Sequence, residues 1–372
     1  MSALTDFITA YNELSYSDRV VFYTTVSNDV NVSEDNLQSF LIETRITDKR
    51  VCVYCSGEHV VKNGTRKDGT QRYLCRDCRK SFIPSSHSVT SRTKKHLSVW
   101  AKYLRCMMEK KTLAETAEEC HIALSTSFAW RHKILASLGE LADKVYLEGT
   151  VEADETCFNV SYKGNHSKST DFSMPRPAHK RGNDNHTKGL SSEKVCVPCA
   201  ISEGGLAYAR PEKLGKASSE CIEDAFDGII SPGAILCTDN ENAYRAFAGK
   251  AGIALVQTDT DCRTVSEGGD VYGLQQVNAY KSPSPSTGDL EGAVHGVQQA
   301  NAFHRSLKAF IRRFHGVSTK HLGNYIVWND LISCNHGKRE ELLAQLLGQV
   351  LCVRKTLYYR DIPRKAPLPG PA

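Results

Sequence analysis

The chain has 372 residues, 40% of them apolar and 24% charged, with a formal net charge of +5. That length exceeds one small core and suggests two to four units, and the composition is that of a globular protein rather than a disordered or fibrous one. No run approaches the roughly 18 apolar residues of a membrane span and no basic-then-apolar leader opens the chain, so a cytoplasmic protein with no membrane partner is expected. The 14 cysteines should then be thiols or metal ligands, not disulfides.

Charge divides the first quarter of the chain. Residues 1–50 carry eight acidic against four basic side chains, a net of −4, and residues 51–95 carry ten basic against three acidic, a net of +7. A reversal this sharp marks separate modules, the second of which should attract polyanions. In residues 1–48, Phe7, Ile8, Tyr11 and Leu14 fall at helical spacing, and Ser17 offers a cap for a helix carrying Val20, Val21 and Tyr23. A small helical unit is expected there, with packing or dimerisation as its default role.

Residues 49–90 hold the sharpest local signal. Cys52-x2-Cys55 is followed by 19 residues and then by Cys75-x2-Cys78. Two such knuckles let four thiolates close a tetrahedron around Zn2+, forming a zinc ribbon whose metal supplies much of the folding energy. Asn63-Gly64 and Asp68-Gly69 read as hairpin turns, and Tyr73 and Phe82 as the apolar cover of the metal. Arg72, Arg76, Arg79 and Lys80 make this module a candidate DNA contact. Cys196-x2-Cys199, alone in an apolar run, reads as strand core.

Residues 91–145 read as helices. Leu97, Trp100, Ala101, Leu104 and Met108 share one face, Thr112 caps Leu113–Glu119, and Ser125 caps Thr126–Leu138. Three helices with a short break before the third resemble a helix-turn-helix, whose last helix would bring Arg131 and Lys133 to phosphates or base edges. An ordinary helical linker with Trp130 in its core is the other reading.

Residues 146–335 read as an α/β catalytic domain with inserted loops at 162–190 and 258–296. Val151–Val160, Lys194–Ser202 and Leu206–Arg210 are expected strands, Ser218–Phe226 a helix, and Ala234–Thr238 a buried strand ending on Asp239. The order strand, strand, strand, helix, strand resembles the ribonuclease H topology, in which the first and fourth strands are neighbours. Asp154 and Asp239 would then face each other across Mg2+, a cation that takes oxygen ligands. Ala300–Phe314 fits an amphipathic helix with Asn301, His304 and Lys308 on one face. Arg312 and Arg313 add charge, and residues 303–329 contain no acid. Residues 336–372 read as a C-terminal helix and a Pro-rich tail.

Together these motifs resemble an insertion-sequence transposase with an N-terminal zinc ribbon and an Asp-Asp-Glu or Asp-Asp-Asn core. The resemblance runs over roughly residues 50–330. It is carried by C-V-Y-C and Y-L-C-R-D-C-R-K-S-F, then S-F-A-W-R-H-K-I-L, A-D-E-T, K-G-L-S-S-E-K-V-C-V, C-T-D-N-E-N-A-Y and N-A-F-H-R-S-L-K-A-F-I-R-R-F. It implies an RNase H-like mixed sheet preceded by the ribbon and the helical reader. The family's acids fall on Asp154 and Asp239, its third ligand on Asn301 and its downstream basic residue on Lys308, with His304 beside it. It further implies catalytic Mg2+ or Mn2+ and double-stranded DNA partners, the element's terminal inverted repeats and a target. A homo-oligomeric synaptic complex in the bacterial cytoplasm or nucleoid follows from the same resemblance. The segment 271–280 nearly repeats at 294–303, and only the second copy runs into the basic helix. The third ligand is therefore expected at Asn301 and not at Asn278. The reading from another class is a DNA-binding protein with an inactive, transposase-derived core.

Overall fold

A computed structural model describes residues 51–67, 70–83, 85–95, 97–142, 145–164, 193–258, 277–280 and 297–334, with 342, 343, 346 and 350. The expected helical unit at 1–48, the Asp68-Gly69 turn, most of the basic loop 162–190 and most of the C-terminal tail lie outside these residues. Two compact units emerge, Met1–Leu138 with Asn335–Ile362 and Gly139–Cys334 with Pro363–Ala372. None of the described helices is long and apolar enough to cross a membrane.

In the first unit, β1 (Val60–Thr65), β2 (Gln71–Cys75) and β3 (Ser81–Phe82) form an antiparallel sheet. The Asn63-Gly64 pair lies within β1 and is not the hairpin turn. Register slips between Lys62 and Thr65 while Gly64 adopts φ 69°, the left-handed geometry of a bulge. Tyr73 and Phe82 stack at 5.7 Å and share a buried cluster with Cys52 and Cys75.

Three helices follow, α1 (Leu97–Met108), α2 (Leu113–Glu119) and α3 (Leu124–Ala142). Thr112 and Glu115 form a reciprocal capping box that starts α2. Ser125 lies inside α3, which begins one residue before it. The buried face of α1 runs through Trp100, Tyr103, Leu104 and Met107; Trp100 and Leu104 belong to the expected stripe, while Ala101 and Met108 are half-buried. Trp100 stacks on Trp130 of α3 at 3.7 Å, and the Tyr103 hydroxyl donates to the Ser127 carbonyl at 2.6 Å. Leu342, Leu343, Leu346 and Val350 are also buried in this unit, where the Val89 N–H donates to the Val350 carbonyl.

The second unit is α/β with a mixed sheet. Its strands are β4 (Thr150–Asn159), β5 (Lys194–Ser202), β6 (Ala207–Ala209), β7 (Lys213–Leu214), β8 (Ile235–Asp239), β9 (Ala254–Thr258) and β10 (Val277–Tyr280). The spatial order is β10-β9-β8-β4-β5-β6, with β7 beside β5. β4 runs antiparallel to β5 and parallel to β8, which is parallel to β9. Helices α4 (Ser219–Phe226) and α5 (Asn242–Ala251) connect the parallel strands, as such crossovers require. Their Ile222, Phe226, Tyr244 and Phe247 pack with Val151, Ala153 and Leu236 on one sheet face. Cys196 and Cys199 are buried in β5 as strand core.

Residues 277–280, expected within an inserted loop, pair antiparallel with β9 and place Asn278 opposite Gln257. The unpaired backbone edge of β9 accepts the extended segment, a normal way of covering a sheet edge.

Helices α6 (Gln298–Arg313) and α7 (Thr319–Cys334) complete the unit. Phe303, Leu307, Phe310 and Ile311 form the buried stripe of α6, and Arg305, Lys308, Arg312 and Arg313 stay exposed. The chain leaving β4 ties this pair down. The Lys163 ammonium donates to the carbonyls of Phe314, His315 and Gly316 at 3.4, 3.2 and 3.0 Å, matching a cation to the negative helix end. The Ser161 N–H donates to the Thr319 hydroxyl at 2.8 Å.

Candidate active site and cysteine cluster

The expected first and fourth strands, β4 and β8, are neighbours. Their register pairs Thr150 with Ile235, Val151 with Leu236 and Glu152 with Cys237. Two residues further along each strand stand Asp154 and Asp239. Because side chains alternate, both carboxylates project to the face that carries Glu152 and Cys237. The opposite face is the apolar one packed by α4 and α5. Parallel strands and a crossover thus bring together two acids that lie 85 positions apart in the sequence.

Both carboxyls are costly to ionise where they stand. Burial pushes Asp154 up to about 6, the Glu155 N–H bonded to its Oδ1 at 2.8 Å counters this, and the Asp239 charge adds to it. Asp239 is also raised, chiefly by burial, and its Oδ1 is buried with no hydrogen-bond partner among the described residues. Lys308 lowers Asp154 and Lys216 lowers Asp239, so each acid feels one ammonium. Lys216 is itself held at 2.8 Å from Glu241.

His304 stands over the pair from α6. Its Nδ1 is 3.7 Å from Asp154 Oδ2, and burial lowers its pKa to about 4, so the ring is neutral at pH 7. Its Nε2 is buried without a partner among the described residues. Asn301 lies one turn earlier on α6 and is exposed, as is Lys308 one turn later. The structure therefore brings Asp154, Asp239, His304 and Lys308 into one electrostatic neighbourhood and presents Asn301 on the same helix.

Two further acids belong to this region and were not singled out from the sequence. Glu152 Oε2 accepts hydrogen bonds from the Gln299 and Ala300 N–H groups at 2.6 and 3.1 Å. Glu155 is pushed up to about 8 by burial and by the charges of Asp154 and Asp239, which keeps it protonated at neutral pH. Alternation along V-E-A-D-E-T would have put Glu152 on the face of Asp154, but nothing local pairs it with residues 147 positions away.

The second candidate centre is the cysteine cluster. The sulfurs of Cys52, Cys55, Cys75 and Cys78 all lie within 4.8 Å of one another. Cys52 and Cys78 are 3.6 Å apart, Cys55 and Cys75 3.7 Å. The Lys80 N–H lowers the Cys78 thiol to about 7, so a thiolate is accessible near neutral pH. Four thiols this close form a donor set compatible with zinc.

The expected DNA-contacting side chains differ in their availability. Arg72, Arg76, Arg79 and Lys80 are exposed around the cysteines, Lys133 is half-buried, and Arg312 and Arg313 are exposed on α6. Arg131 is not available. It is fully buried, donates to the Lys111 carbonyl at 3.0 Å and the Thr116 hydroxyl at 3.2 Å, and lies over the Tyr103 ring. The expectation for Arg131 is corrected accordingly: its guanidinium ties the end of α1 and helix α2 to α3. A sequence shows a basic residue in a helix but not which way its face turns.

Over 179 residues the chain is 26% identical to an uncharacterized protein in transposable element ISH50 of Halobacterium salinarum. The match covers 47% of this chain and 56% of that protein, little more than half its length. No protein-family model matches the chain. The chain thus has a distant relative in a transposable element, together with a mixed α/β unit and a four-cysteine cluster.

Proposed function

We propose that the protein is a DNA transposase that binds the terminal inverted repeats of an insertion sequence and catalyses metal-dependent strand cleavage and transfer. The observation that carries this reading is the parallel pairing of β4, which bears Asp154 at its middle, with β8, which ends on Asp239, together with a helix whose His304 approaches Asp154 and which also bears Asn301 and Lys308. The adjacency of the first and fourth strands supports an RNase H-like core, and the relative carried by a transposable element supports the substrate class.

The donor set fits a hard divalent cation. Two carboxylates and an amide oxygen are the ligands Mg2+ or Mn2+ takes, and the partnerless buried Oδ1 of Asp239 is an acceptor in want of a cation. Asp154, Asp239 and Asn301 would hold the metal, whose Lewis acidity would activate an attacking oxygen and stabilise a leaving one. The remaining steps belong to the chain's own groups. Lys308 would hold a phosphate oxygen beside Asp154. Neutral His304 can accept or donate a hydrogen bond through Nε2 without adding charge. Glu155, protonated at neutral pH, limits the negative charge next to the carboxylate pair.

In the other unit, Cys52, Cys55, Cys75 and Cys78 would hold a structural Zn2+ as a zinc ribbon. Its exposed Arg72, Arg76, Arg79 and Lys80, with Lys133 on α3 in a helix-turn-helix-like arrangement, would neutralise DNA phosphates, and Arg312 and Arg313 would do so on α6. Joining two element ends calls for a homo-oligomer, working in the cytoplasm.

The test is cleavage and strand transfer on element-end DNA with Mg2+ or Mn2+. Asp154→Ala and Asp239→Ala should bind the DNA and cut nothing, Asn301→Ala should cut more slowly, and Asn278→Ala should cut like the wild type, β10 being separated from β4 by β9 and β8. Wild-type protein that binds element ends and never cuts them would mark the core as inactive and the protein as a DNA-binding relative of transposases.

A further inference from the structure

A helix begins with four backbone N–H groups that no intrahelical carbonyl can reach. In α6 the residue at the cap position is Val297, whose side chain cannot accept a hydrogen bond, and no side-chain cap is formed there. The acceptor comes instead from the sheet. Glu152 on β4 takes both the Gln299 and the Ala300 N–H on one carboxylate oxygen, at 2.6 and 3.1 Å. These are charge-assisted bonds at the positive end of a helix, the arrangement in which a carboxylate is most effective.

The placement is informative. Glu152 and Asp154 are two residues apart on one strand and share a face, about 6.8 Å apart along β4. Glu152 holds the amides of 299 and 300, and Asp154 faces the His304 ring. Asn301 lies between these two points of attachment. The distance along the strand is thereby matched to just over one turn of the helix.

We propose that Glu152 is a positioning residue: it seats the first turn of α6 on β4 and so sets where Asn301 stands relative to Asp154 and Asp239. This rests on the transposase reading for Asn301, and it reaches a residue that the reading does not need. A glutamate suits the position because its reach spans from the strand to the helix end and its charge complements the helix dipole. Glutamine keeps an acceptor oxygen and loses the charge, alanine loses both, and aspartate falls short by one methylene.

The experiment uses the full chain and two independent readouts. Amide hydrogen exchange, recorded without divalent metal, should show Gln299 and Ala300 protected in the wild type. Exchange at both should be about tenfold faster in Glu152→Ala and intermediate in Glu152→Gln, with 305–311 unchanged. In the second arm, cleavage of element-end DNA is followed against Mg2+ concentration. Glu152→Ala should lose about tenfold in rate and need more Mg2+, with DNA affinity unchanged and partial recovery in Glu152→Gln. In an Asn301→Ala background the same substitution should add no more than about twofold, since it acts through a group already removed. Unchanged exchange at 299 and 300, or a full additive loss in the Asn301→Ala background, overturns the proposal. If the wild type cuts no DNA, the transposase reading fails by itself while the exchange data still decide whether Glu152 seats α6.

Discussion

Replacing Asp154 by Asn should abolish cleavage and yet stabilise the protein in the absence of divalent metal. The Asp154 side chain is 20% exposed, and its carboxyl is raised from 3.8 to about 6 by burial first and the Asp239 charge second. A carboxyl raised on folding binds its proton more tightly in the folded chain. Its contribution is therefore fully present below 3.8 and is lost as pH rises through about 6. At pH 7.5 the ionised group costs up to about 3 kcal/mol, at 1.36 kcal/mol per pH unit, and water entry reduces this to about 1–2 kcal/mol. Asparagine has nearly the same shape and no charge to bury. At about 2–4 °C per kcal/mol for a unit of this size, the variant should melt about 2–8 °C above the wild type at pH 7.5. The assay is a thermal melt at pH 7.5 and pH 4 in buffer free of Mg2+ and Mn2+, followed by Mg2+ titration. The variant's advantage should vanish at pH 4. Mg2+ should restore about 1.4 kcal/mol to the wild type at ten times its Kd and little to the variant. A variant less stable than the wild type at pH 7.5, or equally favoured at pH 4, would refute the view that a desolvated carboxylate pair awaits a cation.

Elemental analysis should find one zinc per chain, and Cys75→Ser should lose it together with DNA affinity while the sheet of the second unit stays folded; carefully prepared protein without zinc would sink this assignment. Arg131→Ala should cost about 2–4 kcal/mol by stripping partners from the Lys111 carbonyl and Thr116 and leaving a cavity against Tyr103, whereas Arg79→Ala should stay within about 0.5 kcal/mol and lower the salt slope of DNA binding by about one. Denaturation and salt-titrated binding separate the two, and an Arg131→Ala variant as stable as the wild type contradicts the buried role. His321, buried on α7 and lowered to about 4, contributes stability that is present above 6.5 and lost as pH falls through about 4. His321→Phe should accordingly flatten the loss of stability between pH 6.5 and 4, by up to about 3 kcal/mol, and an unchanged pH profile would count against a neutral buried ring.

Local chemistry was legible in the sequence because it depends on spacing along the chain. The two Cys-x2-Cys knuckles announced a four-sulfur cluster, since ligands that close together must come from adjacent turns. Period and caps gave most elements: the Thr112 cap before α2, the buried strand ending on Asp239, and the amphipathic α6 were all foreseeable. What the sequence could not decide was orientation and long-range pairing. Arg131 is one of several basic residues on a helix, and only the packing of Tyr103, Thr116 and Trp130 turns it inward. Val277–Tyr280 looked like part of a loop because an edge strand is chosen by the unpaired backbone beside it, not by its own side chains. The adjacency of Asp154 and Asp239 was an expectation from element order, and the parallel register of β4 and β8 is what carries it. Glu152 marks the limit most sharply. Alternation alone assigns it a face, but its partners are two backbone amides 147 and 148 positions away. Backbone amides are the same in every sequence, so only the tertiary fold could single those two out.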